Sequence, residues 1–89
     1  MDKSKLINYI SDIIKNYINN KKQLKRIANN MLYYRNTLKK DSTLKQAFMF
    51  VMQSTTSIYT DLSTKEQEYI ASELWEALVR KNHSLTKLW

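Results

Sequence analysis

The sequence has no cysteine, no glycine and no proline in 89 residues, and only 8 acidic side chains against 15 lysines and arginines. Without cysteine there is neither a disulfide framework nor a thiolate metal site, and the single histidine, His83, cannot build a zinc site unless carboxylates join it. A reducing, cytoplasmic setting fits this composition best. Without glycine, a phosphate-cradling glycine-rich loop is excluded, and so are most hairpin turns that need positive φ. Without proline, nothing interrupts a helix. Long apolar runs are missing too: each is broken by a polar residue well short of the ~20 residues a membrane span needs, and no export signal is visible near the start. A chain of this length makes one domain, here residues 1–89, and buries only roughly 60 to 65% of its unfolded surface. Large catalytic scaffolds are thereby excluded.

What is present is helical periodicity. Leu6, Ile7, Ile10, Ile13, Ile14, Tyr17 and Ile18 form one stripe at 100° per residue, with Asp12, Lys15, Asn16 and Asn19 opposite. The spacing predicts a first helix over about 3–19. After Asn19 and Asn20, a second stripe of Leu24, Ile27, Ala28, Met31, Tyr34 and Leu38 predicts a helix over 21–40, whose closing Lys39 and Lys40 suit the negative end of its dipole. Asp41 and Ser42 offer capping oxygens for a third helix over 43–59, with Leu44, Ala47, Phe48, Val51, Thr55 and Ile58 facing inward. Ser63 and Glu66 have the spacing of a capping box, with Leu62 placed to staple loosely onto Gln67 or Ile70. A fourth helix over 64–81 follows, with Ile70, Ala71, Leu74, Ala77 and Leu78 on one side. Asn82 can end it in a left-handed conformation, leaving a short tail over 82–89. Four amphipathic helices on short connections imply an all-α fold, a small antiparallel four-helix bundle.

Charge is uneven along the chain. Residues 1–45 hold 11 basic and 3 acidic side chains, whereas residues 46–89 hold 4 and 5, so the positive field belongs to the first half. Between Lys21 and Lys40 stand Lys21, Lys22, Lys25, Arg26, Arg35, Lys39 and Lys40 with no acid among them, interleaved with Asn29, Tyr33 and Asn36. Such a face can neutralise phosphates, with Tyr33 available for stacking and asparagines for polar contacts. A plain solvated helix face is the competing explanation. The tight turn of a helix-turn-helix is missing, so base-specific readout is not supported.

Aromatic residues are abundant, and most belong in the core or at its boundary. Met49, Phe50, Trp75 and Val79 fall beside or opposite the stripes of helices three and four, and Trp89 ends the sequence. Large apolar groups exposed at one end of a bundle suit a partner surface, although a wide four-helix interior can also absorb them. Catalysis has little support: Glu66, Glu73 and Glu76 sit on the solvent side of helix four beside Arg80, and His83 lacks a nucleophile or carboxylate at a recognisable spacing. No enzymatic activity and no cofactor are expected.

Thr55-Thr56-Ser57-Ile58, a short connection, then Ser63-Thr64-Lys65-Glu66-Gln67-Glu68-Tyr69-Ile70 and Glu73-Leu74 resemble the third and fourth helices of bacteriocin immunity proteins. The resemblance implies a small, basic, cytosolic four-helix bundle that protects a toxin producer by recognising the complex between the toxin and a sugar-transport permease. The C-terminal half would carry partner specificity, which here corresponds to Trp75, Arg80, Lys81, His83, Lys87 and Trp89, with Phe50 as a further apolar contact. The chain departs from that pattern in lacking a glycine-containing segment after helix four and in its shorter tail.

Leu62 to Ile70, followed by Leu85-Thr86-Lys87-Leu88, is also similar to the start of the sigma-like region of phage late-transcription regulators, where a reading helix would come next and here the chain stops. Three functions are therefore open: an immunity protein working through its C-terminal end, a nucleic-acid binder working through helix two, and a phage-encoded regulator or inhibitor of a host or defence protein.

Overall fold

The computed structural model describes residues 3–54, 62–81 and 83–89. Among these the secondary structure is helical, with no strand: α1 Ser4–Ile14, α2 Lys21–Tyr33 continued by a π-helical turn Tyr34–Leu38, α3 Leu44–Ser54, α4 Thr64–Lys81 and a single turn α5 His83–Thr86. The inward positions Thr55 and Ile58, the end of helix three near Tyr59, the segment Thr55–Ile58 and Asn82 lie outside the described residues.

The chain is an all-α bundle in which the four long helices form a ring: α1 packs against α2 and α4, and α3 packs against the same two. Direction along the ring can be read from two contacts. The Tyr9 hydroxyl in α1 donates to the carbonyl of Ala77 late in α4 (3.4 Å), whereas Tyr17, beyond the end of α1, meets Tyr69 early in α4 edge-to-face at 6.0 Å. Advancing along α1 thus retreats along α4, so the pair is antiparallel. Inside the ring Leu6, Ile10 and Ile14 meet Ile27 and Met31, Leu44 and Phe48, and Ile70, Leu74 and Leu78, all shut off from solvent.

α1 is shorter than its stripe suggests. After Ile14 the chain tightens, with the Asn16 and Tyr17 amides donating three residues back to Ile13 and Ile14, before Ile18 drops into the core. Asparagines at 16, 19 and 20 compete with the helix for backbone bonds. Asn20 is more than a break, since its Oδ1 accepts from the Lys22 amide (3.1 Å) and caps α2.

Two local expectations are corrected. Leu38, placed on the inward stripe, is 60% exposed. The π turn, closed by the Lys39 amide on the Tyr34 carbonyl at 2.8 Å, widens the last turn and retards its rotation, so Leu38 no longer follows Met31 inward. The cap of α3 is Thr43 rather than Asp41 or Ser42. Thr43 Oγ1 accepts from the Gln46 amide (3.1 Å) and Gln46 Oε1 accepts from the Thr43 amide (2.9 Å), a reciprocal box satisfying two amides at once. Ser42 is instead buried, its hydroxyl without a partner, and its carbonyl accepts from the indole of Trp89 at 3.1 Å.

The Ser63 box has both of its bonds, 3.0 Å from the Ser63 amide to Glu66 and 3.2 Å from the Glu66 amide to Ser63. Leu62 and Gln67 are joined by a hydrogen bond, the Gln67 side-chain Nε2 donating to the Leu62 carbonyl at 3.2 Å.

Leu74 is fully buried, so Leu74→Ala should cost about 2 to 5 kcal/mol in chemical denaturation. A loss below about 0.5 kcal/mol would place Leu74 outside the packed interior.

The bonds to the Ser63 amide and hydroxyl hold the Glu66 carboxyl below the ordinary glutamate value. At acid pH the unfolded chain therefore binds the extra proton, and the contribution of Glu66 is complete above about pH 4.3 and lost as pH falls through the lower folded-state value. Glu66→Gln should flatten that part of the acid-side stability curve measured by thermal unfolding. An unchanged curve would mean that the box is not formed in solution.

Candidate functional site

α2 shows water a nearly unbroken line of polar side chains. Lys22, Arg26, Asn29 and Tyr33 recur every three or four residues over about 16 Å of helix, and Lys21 and Lys25 flank them. All six are exposed, Tyr33 to 60%. Ion pairs join Lys15 to Asp12 (3.6 Å) and Arg80 to Glu76 (3.0 Å), and among the described residues no carboxylate is paired with Lys21, Lys22 or Lys25. Asn29 is turned back on its own helix, its amide donating to the Lys25 carbonyl at 2.9 Å, which leaves its oxygen for other contacts. Lys39 and Lys40 are exposed on the connection after the π turn. Arg35 is different: the π turn leaves it half-buried with its Nε enclosed and unpartnered, so it does not extend the solvated line.

Two grooves border α2. On the α3 side a hollow of about 380 Å³ is lined by Arg26, Asn30, Tyr33, Tyr34, Leu38, Phe50 and Val51. Within it Tyr34 and Phe50 stack nearly parallel, with centroids 4.0 Å apart and planes 17° apart. On the α1 side a groove of about 600 Å³ runs past Lys15, Lys21 and Lys25 over a floor that includes Ile18 and Leu24. A third, of about 670 Å³, lies between the end of α1 and the start of α4, where Tyr17, Leu62, Tyr69 and the Ser63–Glu66 box meet.

Of the residues expected at a C-terminal partner surface, Phe50 lines the hollow beside α2 with Tyr33 and Arg26. Trp75 and Val79 are 38% exposed one turn apart on α4, and Met49 is half-buried against the core. Arg80 is paired with Glu76, Lys81 and Lys87 are exposed, and the side chain of His83 lies outside the described residues. Trp89 is half-buried and fastened to Ser42, with Leu85 and Leu88 also packed on the core, so the tail folds back on the bundle.

Three of the four carboxylates of α4 have local partners. Glu66 closes the cap, Glu76 takes Arg80, and Glu73 accepts a hydrogen bond from the Tyr69 hydroxyl, which raises the Tyr69 phenol above its ordinary value. Among the described residues no cluster of three or more His, Asp or Glu is placed to hold a metal ion, and no helix is long and apolar enough to cross a membrane. No family model matches the chain, and neither does any curated protein or solved structure.

The Tyr34–Phe50 stack was not readable from helical wheels, which describe one helix at a time. A double-mutant cycle with Tyr34→Leu and Phe50→Leu should give a coupling of about 0.5 to 1.5 kcal/mol. Additive losses would show that the rings do not stack in solution.

Proposed function

We propose that this protein is a non-enzymatic, cytoplasmic binding protein of the bacteriocin-immunity kind, docking onto a toxin–permease complex through α4 and the adjoining tail. The observation that carries the reading is the pair Trp75 and Val79, each 38% exposed and one turn apart on α4. Burying a tryptophan and a valine against a partner is a strong source of interface free energy, and tryptophan is enriched among residues that dominate binding. Lys81 and Lys87 are exposed nearby in sequence and add positive charge at the same end. The tail contributes shape: fixing Trp89 to the Ser42 carbonyl removes conformational freedom that docking would otherwise have to remove. The ring of four helices followed by a short fifth turn supports the same reading at the level of fold, where many functions share one architecture.

Expression in a toxin-sensitive strain should confer resistance, and Trp75→Ala with Val79→Ser should abolish it while the helical signal and thermal midpoint stay near those of the parent. Unchanged sensitivity with the parent protein present and folded would end the immunity reading. Protection that survives these changes but disappears on replacing Lys22 and Lys25 would move the working surface to α2.

A further inference from the structure

The basic flank of α2 is electrostatically unfavourable for the free protein. Lys21 with Lys25 and Lys22 with Lys25 are like charges at helical neighbour spacing, and each pair works against the helix. The first turn of the helix contains no acid to offset them. Local choices that work against the fold are where function is to be sought. An anionic partner would turn each of these repulsions into an attraction.

The same flank leads to aromatic rings. Tyr33 continues the line of Lys22 and Arg26, is 60% exposed, and lines the 380 Å³ hollow together with the stacked Tyr34 and Phe50. Cations followed along a helix by an open ring and an aromatic-walled hollow match the two needs of an unpaired strand, phosphate neutralisation and a face for stacking. In a duplex those base faces are already covered. α2 is also held in the ring between α1 and α3, so it is not a projecting helix that can enter a major groove with both flanks free. A lipid surface would want apolar groups reaching beyond the cations, and among the described residues beside α2 those of high exposure are Leu38 and Tyr33, while Tyr34 and Phe50 are spent on each other.

We propose that the outer flank of α2 and the Tyr33–Phe50 hollow form a binding site for single-stranded nucleic acid, with backbone phosphates over Lys21, Lys22, Lys25 and Arg26 and a base stacked on Tyr33. The site is independent of the Trp75 surface. Sequence preference should be slight, because stacking is tolerant of base identity and Asn29 has one amide hydrogen-bonded to its own helix.

Fluorescence anisotropy of the intact protein with a labelled oligothymidine, a matched duplex and anionic phospholipid vesicles tests this. At about 50 mM salt the single strand should bind more tightly than the duplex, and four phosphate contacts should give a log-log salt slope of about −2.8. Lys25→Gln should make that slope shallower by about 0.7. Tyr33→Leu, at an exposed position where folding is checked by circular dichroism, should weaken binding roughly 5- to 150-fold with the slope unchanged. No binding to the oligonucleotide, equal affinity for the duplex with Tyr33→Leu silent, or preference for the vesicles would each overturn the proposal.

Discussion

A helix that cannot end in glycine has to be started and stopped by other means, and in this chain the means are side-chain oxygens at helix starts. Asn20, Thr43 and Ser63 each accept from an amide in the first turn of the helix that follows. Two of them receive a bond in return, from Gln46 and Glu66. None of the described residues has a positive φ, so the connections among them turn without the left-handed conformations that glycine makes easy. Capping fixes where α2, α3 and α4 begin, whereas α1 starts without a side-chain cap. A slip of one residue would swing a stripe by 100° and point Leu74 or Phe48 away from the interior. The ring therefore depends on polar contacts at its ends as much as on the buried leucines and isoleucines between them.

Once the apolar stripes are committed to the interior, function is left to what faces outward, and the two halves of the chain differ there. The first half presents cations with few acids, while three of the four carboxylates of α4 are satisfied by neighbours, Glu66 in its cap, Glu73 with Tyr69 and Glu76 beside Arg80. A surface whose charges are already paired offers little long-range attraction, whereas unpaired lysines raise the local concentration of any anion. By contrast, the exposed Trp75 and Val79 on α4 act only at contact. The two surfaces therefore differ in range, α2 acting through charge at a distance and α4 through apolar contact.

Most of the helix order was legible, because periodicity is a property of one segment at a time. Leu6, Ile10 and Ile14, Ile27 and Met31, Leu44 and Phe48, and Leu74 and Leu78 all lie where their stripes put them. The Ser63–Glu66 box was equally legible, since both partners lie within four residues. Thr43 and Gln46 carry the same kind of signal, Thr-x-x-Gln, but Asp41 and Ser42 are also good caps and stand just ahead of it. What the pattern could not give was anything requiring two segments. The stack of Tyr34 on Phe50 joins two helices, and the indole of Trp89 reaches a carbonyl 47 residues earlier. Leu38 failed for another reason: a π turn has no sequence signature strong enough to override a regular stripe, and one widened turn moves the last apolar position out of phase.

That widened turn also ties the fold to the candidate site. Had α2 continued in regular phase to Lys40, Leu38 would follow Met31 and Tyr34 inward. Instead the Lys39 amide bonds to the Tyr34 carbonyl, Leu38 stands 60% exposed at the hollow, and Tyr34 lies flat against Phe50. π turns interrupt otherwise regular helices and are frequent at functional positions. Here the interruption falls at the end of the cationic line, where it exchanges one buried leucine for an open aromatic-walled hollow. Burying a leucine contributes about 1.5 to 3 kcal/mol, so the open arrangement forgoes stability that a regular last turn would have gained. A fold selected for stability alone would be expected to keep the leucine inside. Its outward position beside Arg26 and Tyr33 is what distinguishes the α2 surface from the Trp75 and Val79 surface of α4.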